Sequence, residues 1–146
     1  MTLALSGSDI AKQIEEKFRQ SVVEATAESV LVGAESLFDV AAYLKDTPGL
    51  DFDYLTLITA VDYLDCFEVV YNLTSIKHNH SLVLKTRCCG RDNPVLPSVV
   101  GLWRTADFQE REVYDLMGIS FDGHPNLRRI VLWEGFEGYP LRKDFL

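Results

Sequence analysis

The sequence predicts an α+β fold, with helices packed on one face of a mostly antiparallel or mixed sheet of five strands. Segments with apolar residues at every third or fourth position alternate with segments rich in β-branched residues, in the order α-β-β-α-β-β-β. A short helix and an irregular carboxyl-terminal tail follow these elements. We therefore expect a two-layer sandwich that forms one domain, with a body at residues 1–103 and a helix and docking tail at residues 104–146.

Length and composition narrow the class of protein. A chain of 146 residues with 47% apolar and 25% charged residues is typical of one globular domain. The net charge of −8 argues against a general nucleic-acid binder. No apolar run approaches the ~20 residues that a membrane span requires. The first ten residues lack a secretory signal, and three cysteines without a paired pattern are typical of a reducing compartment, so we expect a cytosolic chain.

The first helix is predicted from its cap and its buried stripe. Ser8 or Asp9 can accept hydrogen bonds from the first backbone N–H groups, and the helix extends to about Gln20. Its apolar residues recur at every fourth position, at Ile10, Ile14 and Phe18. Two short β-rich runs at residues 21–25 and 29–33 follow and predict a hairpin.

A second helix is predicted from Ser36, which is a favourable cap, to about Lys45. The turn-forming residues Thr47, Pro48 and Gly49 end this helix. Its inward face is expected to carry Leu37, Val40, Ala41 and Leu44.

Alternation of side chains predicts three strands, at residues 54–63, 67–75 and 81–87. In the first of them, one face is expected to carry Leu55, Leu57 and Thr59. If Cys88 and Cys89 lie on a strand, they point to opposite faces. Residues 97–103 are expected to form one short helical turn.

The last helix is predicted to begin after Asp107, a good N-cap, with Glu110 completing a capping box. Gly118 suits the left-handed conformation that commonly ends a helix. Arg111 stands four residues from both Asp107 and Asp115, which predicts ion pairs on the helix surface. The inward face is expected to carry Val113, Leu116 and Met117.

Several polar residues are candidates for binding a metal or an anion. The residue types that bind zinc are present at His78, His80, Cys88, Cys89 and His124. They lack the paired spacing of closed zinc sites, so we favour structural roles for them. Arg128 and Arg129, near His124, suit a carboxylate or a phosphate. A protein surface is the favoured ligand, because no nucleotide-binding motif is present and arginine is enriched at interfaces.

The tail combines glycine, proline, arginine and aromatic residues. Trp133 and Phe136 fit either packing on their own domain or contact with a neighbouring subunit. Tyr139 and Phe145 are further aromatic anchors in this irregular segment.

A long series of fixed spacings in the carboxyl-terminal third resembles the C-type subunit family of the proton-pumping NADH-quinone oxidoreductases, or respiratory complex I. The matching residues are Glu110, Arg111, Glu112, Asp115, Gly118, Ile119, Phe121, Gly123, His124, Pro125, Leu127, Arg128, Arg129, Ile130, Gly138, Pro140, Leu141, Arg142, Lys143 and Asp144. Upstream, residues 57–63, 67–71 and 75–80 are similar to the same family. The resemblance covers about residues 50–145.

This resemblance implies an accessory subunit that scaffolds electron transfer to quinone and has no catalytic, cofactor-binding or metal-binding residue of its own. It implies a peripheral position in the hydrophilic arm, on the cytoplasmic side of a prokaryotic cell membrane. The partners would be the large quinone-site subunit, which is the D-type subunit, and the small iron–sulfur subunit, which is the B-type subunit. FMN, the iron–sulfur clusters and quinone would belong to partner subunits, and the membrane would be reached only through the assembled complex.

The residues expected at the partner interface are Glu110, Arg111, Glu112, Asp115, His124, Arg128, Arg129, Arg142, Lys143 and Asp144. Replacing both Arg128 and Arg129 by alanine is accordingly expected to weaken association and to leave the isolated fold nearly intact.

Two alternatives remain open. The chain would also suit the equivalent subunit of a membrane-bound hydrogenase or another complex with a different electron donor. From another class, it would suit a free-standing small enzyme or binding module that uses Arg128, Arg129 and His124 on an anionic ligand.

Overall fold

The computed structural model describes residues 2–90, 92–133 and 135–143. Within these residues the fold is α+β, with a mixed six-stranded main sheet and three α-helices. The helices are α1 Gly7–Lys17, α2 Leu37–Asp46 and α3 Ala106–Met117. The strands are β1 Leu3–Ala4, β2 Val22–Ala25, β3 Ser29–Val32, β4 Tyr54–Asp62, β5 Cys66–Ser75, β6 His80–Cys89, β7 Val95–Pro97 and β8 Ser120–Asp122.

The main sheet is built around β6. Strand β5 pairs with it in antiparallel orientation, whereas β1 and β3 both pair with it in parallel orientation. The strand order is β2-β3-β6-β5-β4, with β1 also beside β6. The expected number of five strands is therefore wrong, because β1 contains only two residues and is too short to show periodicity.

Helices α1 and α2 and the hairpin β2–β3 confirm the predictions for the first third, apart from the helix ends. Helix α1 begins at Gly7, after the N-cap Ser6, and ends at Lys17. A Cβ atom at Gly7 would collide with the backbone of Thr26 and Ser29, so a glycine allows α1 to enter this close to the hairpin. The predicted inward residues are buried at Ile10, Ile14, Leu37, Val40, Ala41 and Leu44.

Strand β4 contains an irregularity that changes which side chains face the core. Leu55 lies opposite Leu73, but Leu57 lies opposite Asn72, so one additional residue is inserted in β4. Such a bulge reverses the alternation of side chains. Leu57 is accordingly 46% exposed while Ile58 is buried, and the predicted common face of Leu55 and Leu57 is wrong.

A second, two-stranded sheet positions the segment that leads into α3. Strands β7 and β8 pair in parallel orientation, and neither is predicted by the sequence pattern, because each has only three residues. Pro97 ends β7, so the expected turn begins at Val99, whose carbonyl accepts a hydrogen bond from Trp103 N at 3.0 Å. The Trp103 indole then donates to the Phe52 carbonyl at 2.9 Å, which fixes this turn to the body of the domain.

Candidate functional site

Helix α3 begins earlier than expected, at Ala106 with Thr105 as the N-cap residue. The predicted capping box of Asp107 and Glu110 is wrong. Glu110 is fully buried and points to the preceding turn, where it accepts hydrogen bonds from Ser98 Oγ at 2.5 Å and from Val99 N at 2.8 Å. Burial raises the pKa of Glu110, and these two hydrogen bonds only partly oppose that effect.

Asp115, in the last part of α3, is the acceptor around which the following segment folds. Its carboxylate has no exposed surface. Oδ2 accepts hydrogen bonds from three consecutive backbone N–H groups, those of Ile130, Val131 and Leu132, at 3.1, 2.7 and 2.8 Å. Burial raises the pKa of Asp115, but the hydrogen bonds from Leu132, Arg129, Val131 and Ile130 outweigh burial, so this pKa is lowered.

Arg129 joins three parts of the carboxyl-terminal third. Its Nη1 donates to Asp115 Oδ1 at 2.8 Å and to the Asp115 carbonyl at 3.0 Å. Its Nη2 donates to the Gly138 carbonyl at 3.1 Å, and its guanidinium lies 5.0 Å from the Tyr139 ring centroid. Arg129 therefore holds the tail to α3, and the expectation that its removal would leave the isolated fold nearly intact is not supported by these contacts.

The end of the tail caps the carboxyl terminus of α3. Leu141 N donates to the Leu116 carbonyl at 3.0 Å, and Arg142 Nε donates to the Met117 carbonyl at 2.6 Å. A cationic group is favourable here, because the unpaired carbonyls at a helix carboxyl terminus carry partial negative charge. Gly118 ends the helix as predicted, with φ of 77°, and a Cβ atom at this residue would lie 2.6 Å from the Tyr139 ring.

Arg111 and His124 also make contacts inside the chain. Arg111 Nε donates to the Arg128 carbonyl at 3.2 Å, and its Nη2 donates to the Arg129 carbonyl at 3.4 Å. The predicted pairing of Arg111 with Asp107 and Asp115 is therefore wrong: Asp107 Oδ1 lies 3.1 Å from His124 Nε2, and Asp115 pairs with Arg129.

The side chain of His124 is buried, and its surroundings identify its tautomer. Asn126 N donates to Nδ1 at 2.9 Å, while Nε2 lies 3.1 Å from the Asp107 carbonyl oxygen. Nε2 therefore carries the proton. Arg128, by contrast, is exposed. Arg129 is paired with Asp115, and His124 is bonded to Asp107 and Asn126, so the structure does not assemble Arg128, Arg129 and His124 around one anion.

The contacts described above leave a different set of side chains on the surface of this region. Glu112, Arg128 and Lys143 are exposed, and the Lys143 backbone N–H donates to Asp62 Oδ2 at 2.9 Å. The large apolar residues with substantial exposure are Phe108, Ile130, Val131, Trp133 and Leu141. The sequence signal for them is weak, since apolar residues in an irregular segment show no periodicity. Asp144 and Phe145 lie outside the described residues.

An open cleft of about 500 Å³ lies between α3 and the segment that follows β8. Its lining includes Arg111, Tyr114, Arg128 and Leu132. The cleft therefore presents guanidinium groups beside aliphatic and aromatic surface, a combination that is common where one protein chain contacts another.

The candidate zinc ligands do not form one site, although the His78 and His80 rings stack with centroids 5.5 Å apart. His78 Nε2 lies 2.7 Å from Asp51 Oδ2, and His80 Nε2 lies 2.7 Å from the Leu50 carbonyl oxygen. Cys88 is buried and Cys89 exposed, which confirms that they point to opposite faces of the strand. In the described ranges, no three histidine, cysteine or acidic residues are grouped so that they would hold a metal ion.

The family model for the 30 Kd subunit of respiratory-chain NADH dehydrogenase matches residues 30–146. The chain belongs to this family. The match begins about 20 residues before the region that carries the resemblance in motifs and spacings.

Curated relatives of this family share more than two fifths of the aligned residues. The second C-type subunit of the NADH-quinone oxidoreductase of Rhizobium meliloti is 46% identical over 117 residues, which cover 78% of this chain and 63% of the relative. The C-type subunit of Cupriavidus taiwanensis is 43% identical over 136 residues, covering 86% of this chain and 68% of the relative. The C-type subunit of Roseiflexus sp. is 46% identical over 119 residues, which cover 80% of this chain and 68% of the relative. The chain thus spans about two thirds of the length of these relatives.

A solved structure has the same fold. One chain in the structure of the membrane-bound sulfane sulfur reductase, an archaeal respiratory membrane complex, superposes with a TM-score of 0.77 at 29% identity. The superposition covers 95% of this chain and 85% of that chain. Among the residues described for the present protein, every helix is too short or too polar to cross a membrane.

Proposed function

We propose that this chain is an accessory, cofactor-free subunit of a proton-pumping NADH-quinone oxidoreductase. It lies in the hydrophilic arm of the complex, peripherally on the cytoplasmic side of a prokaryotic cell membrane. The family match and the names of the curated relatives support this proposal. FMN, the iron–sulfur clusters and quinone belong to the partner subunits.

Its role is to hold the large quinone-site subunit in the geometry that electron transfer requires. The observation that carries this proposal is the combination of a firmly held tail with outward-facing apolar side chains. The tail and the segment before it are fixed through Asp115, Arg129 and Arg142, yet Trp133 is 68% exposed and Leu141 is 60% exposed. Large apolar residues grouped on a surface mark interaction sites, because exposure to water is unfavourable for them.

Charged residues in the same region orient the bound partner. Arg128 and Lys143 are exposed cations in the same carboxyl-terminal third, in a protein of net charge −8. They suit carboxylates at the rim of a partner surface, where charge complementarity contributes specificity and rate of association more than affinity. The large quinone-site subunit and the adjacent small iron–sulfur subunit are the partners that we propose for this surface.

The docking role is tested by removing two exposed apolar side chains while the contacts of Asp115, Arg129 and Arg142 that hold the tail are kept. Trp133→Ala combined with Leu141→Ala is expected to reduce co-purification of the large subunit and NADH-quinone activity of the membranes, while the unfolding transition of the isolated chain changes little. Ile76→Ala is the matched control, because Ile76 is 69% exposed at the turn between β5 and β6. Equal assembly of the double variant and the control on a native gel would contradict the docking role.

The structural neighbour favours one second candidate. That neighbour belongs to a respiratory membrane complex named as a sulfane sulfur reductase. An equivalent subunit of a membrane-bound hydrogenase or of another donor-modified complex would use the same docking surface. Mass spectrometry of the purified particle separates the two proposals, since only the NADH-quinone oxidoreductase contains an NADH-oxidising, FMN-binding subunit.

A further inference from the structure

Two cysteines lie directly opposite each other on neighbouring strands. Cys66 begins β5, Cys89 ends β6, and the antiparallel register pairs them. Directly opposite residues in an antiparallel pair point to the same face, with Cα atoms about 4.5–5.5 Å apart, which falls within the range that disulfides span. The register therefore places the two thiols side by side on one face of the sheet.

We infer that Cys66 and Cys89 form a redox-active dithiol site, which a hydroperoxide oxidises to an intramolecular disulfide. This inference rests on the strand register and on the environment of each thiol, and it is independent of the proposed function.

The environments give the two cysteines different roles. Cys89 is exposed, so a peroxide can reach its sulfur, whereas Cys66 is buried. Burial raises the pKa of Cys66, with further contributions from Asp65 and from the Cys89 thiol itself, so Cys66 remains a thiol while Cys89 reacts. Cys89 is then the attacking cysteine, and Cys66 is the resolving cysteine.

Cys88 provides an internal contrast. It is adjacent to Cys89 in sequence, but it points to the opposite face and lies across from Phe67 in the register. Burial raises the pKa of Cys88 to about 11, so its reactive thiolate is scarce at neutral pH. The strand geometry therefore selects one of two neighbouring cysteines for the reaction.

The reaction consumes one hydroperoxide for each disulfide. The Cys89 thiolate attacks the peroxide, an S–O bond forms, the O–O bond breaks, and the leaving alkoxide or hydroxide takes up a proton. The Cys66 sulfur then attacks the sulfenic acid, the S–S bond forms, and the S–O bond breaks. The hydroxide leaves with the Cys66 proton as water. Each sulfur loses one electron, and the two peroxide oxygens accept both.

The site lies beside the residues that hold the tail. Phe67 follows Cys66, and its ring centroid is 5.0 Å from the Arg142 guanidinium. Asp62, at the end of the preceding strand, accepts a hydrogen bond from Lys143 N. A disulfide between Cys66 and Cys89 would thus crosslink the start of β5 to the end of β6, directly next to the residues that contact the tail.

The test is peroxide oxidation of the fully reduced full-length chain, followed by alkylation and peptide mass spectrometry. Hydrogen peroxide is expected to remove two of the three free thiols and to yield one peptide pair linked through Cys66 and Cys89, with Cys88 still alkylated. Cys88→Ser is expected to form the same link. Cys89→Ser is expected to lose it, and this exposed position tolerates the substitution without loss of packing.

Three results would overturn the inference. The first is an unchanged thiol count after peroxide treatment. The second is Cys89 recovered as sulfinic acid or in an intermolecular disulfide while Cys66 stays free. The third is loss of the Cys66–Cys89 link in Cys88→Ser, since Cys88 would then take part in the exchange.

Discussion

Arg129 Nη1 lies 2.8 Å from Asp115 Oδ1, and the Asp115 carboxylate has no exposed surface. These residues are 14 positions apart in sequence and connect α3 to the segment that precedes the tail. The pair explains how an irregular segment acquires a fixed conformation. One buried carboxylate accepts hydrogen bonds from a guanidinium and from three backbone N–H groups. Organisation of this segment therefore comes from polar contacts to one residue rather than from a core of its own.

Substitutions of the adjacent residues Arg128 and Arg129 are expected to change the free energy of unfolding by very different amounts. Arg129→Ala leaves Asp115 buried without its cation, and breaking a buried pair in this way typically costs about 3–5 kcal/mol. Arg128→Ala removes an exposed side chain and is expected to change the free energy of unfolding by less than about 0.5 kcal/mol. Urea denaturation of both variants measures this contrast. Similar destabilisation by the two substitutions would contradict the role given to Arg129.

The pH dependence of stability provides a test of Asp115. Because its pKa is lowered in the folded chain, its contribution is complete above the ordinary aspartate pKa of about 3.9 and is lost as pH falls through the folded-state value. The stability advantage of the wild type over Asp115→Asn is therefore expected to shrink as pH falls below about 3.9. A stability difference between the wild type and Asp115→Asn that stays constant across this pH range would show that the charge of Asp115 does not contribute to stability.

The contribution of Glu110 to stability is expected to change with pH in the opposite direction. Its pKa is raised in the folded chain, so its contribution is complete below the ordinary glutamate pKa of about 4.3 and is lost as pH rises through the folded-state value. Glu110→Gln keeps an acceptor for Val99 N and cannot ionise. The stability of this variant relative to the wild type should increase as pH rises from about 4.3, as measured by denaturation at a series of pH values. A relative stability that decreases over the same range would contradict the raised pKa.

The amount of structure that could be predicted differs along the chain. Helix α2 and its inward residues Leu37 and Leu44 follow from periodicity, because one continuous stripe determines the face that packs. Strands β1, β7 and β8 have only two or three residues and therefore carry no pattern. The bulge in β4 escapes prediction because alternation assumes an unbroken pleat.

The candidate site shows a second limit of sequence interpretation. A glutamate near the start of a helix looks the same whether it folds back onto the cap or reaches Ser98, 12 residues earlier. The choice depends on where β7 and its turn lie, which is a tertiary property. Likewise, the spacing of Arg111 from Asp115 predicts a helical ion pair, but Arg129 occupies that carboxylate. The prediction for Gly118 is correct because only the local backbone is involved.

Gly118 is expected to be intolerant of a side chain for two separable reasons. Its φ of 77° is unfavourable for other residues, and a Cβ atom would collide with the Tyr139 ring. Gly118→Ala should therefore lower the free energy of unfolding by more than the roughly 1–2 kcal/mol that a left-handed conformation alone costs.

Two other glycines serve as controls for that substitution. Gly123 has φ of 89° with open space around it, so Gly123→Ala measures the backbone cost alone. Gly101 has open space and lacks a left-handed φ, so Gly101→Ala should be nearly neutral. If Gly118→Ala is no worse than Gly123→Ala in thermal or urea unfolding, the tail does not pack against Gly118 as described.

Membership of a larger complex is tested most directly by purifying the tagged full-length chain from detergent-solubilised membranes and identifying its companions by mass spectrometry. We expect a large particle that contains the quinone-site and iron–sulfur subunits and reduces quinone with NADH. A chain that elutes alone, at the mass of a monomer and without any other respiratory subunit, would contradict it.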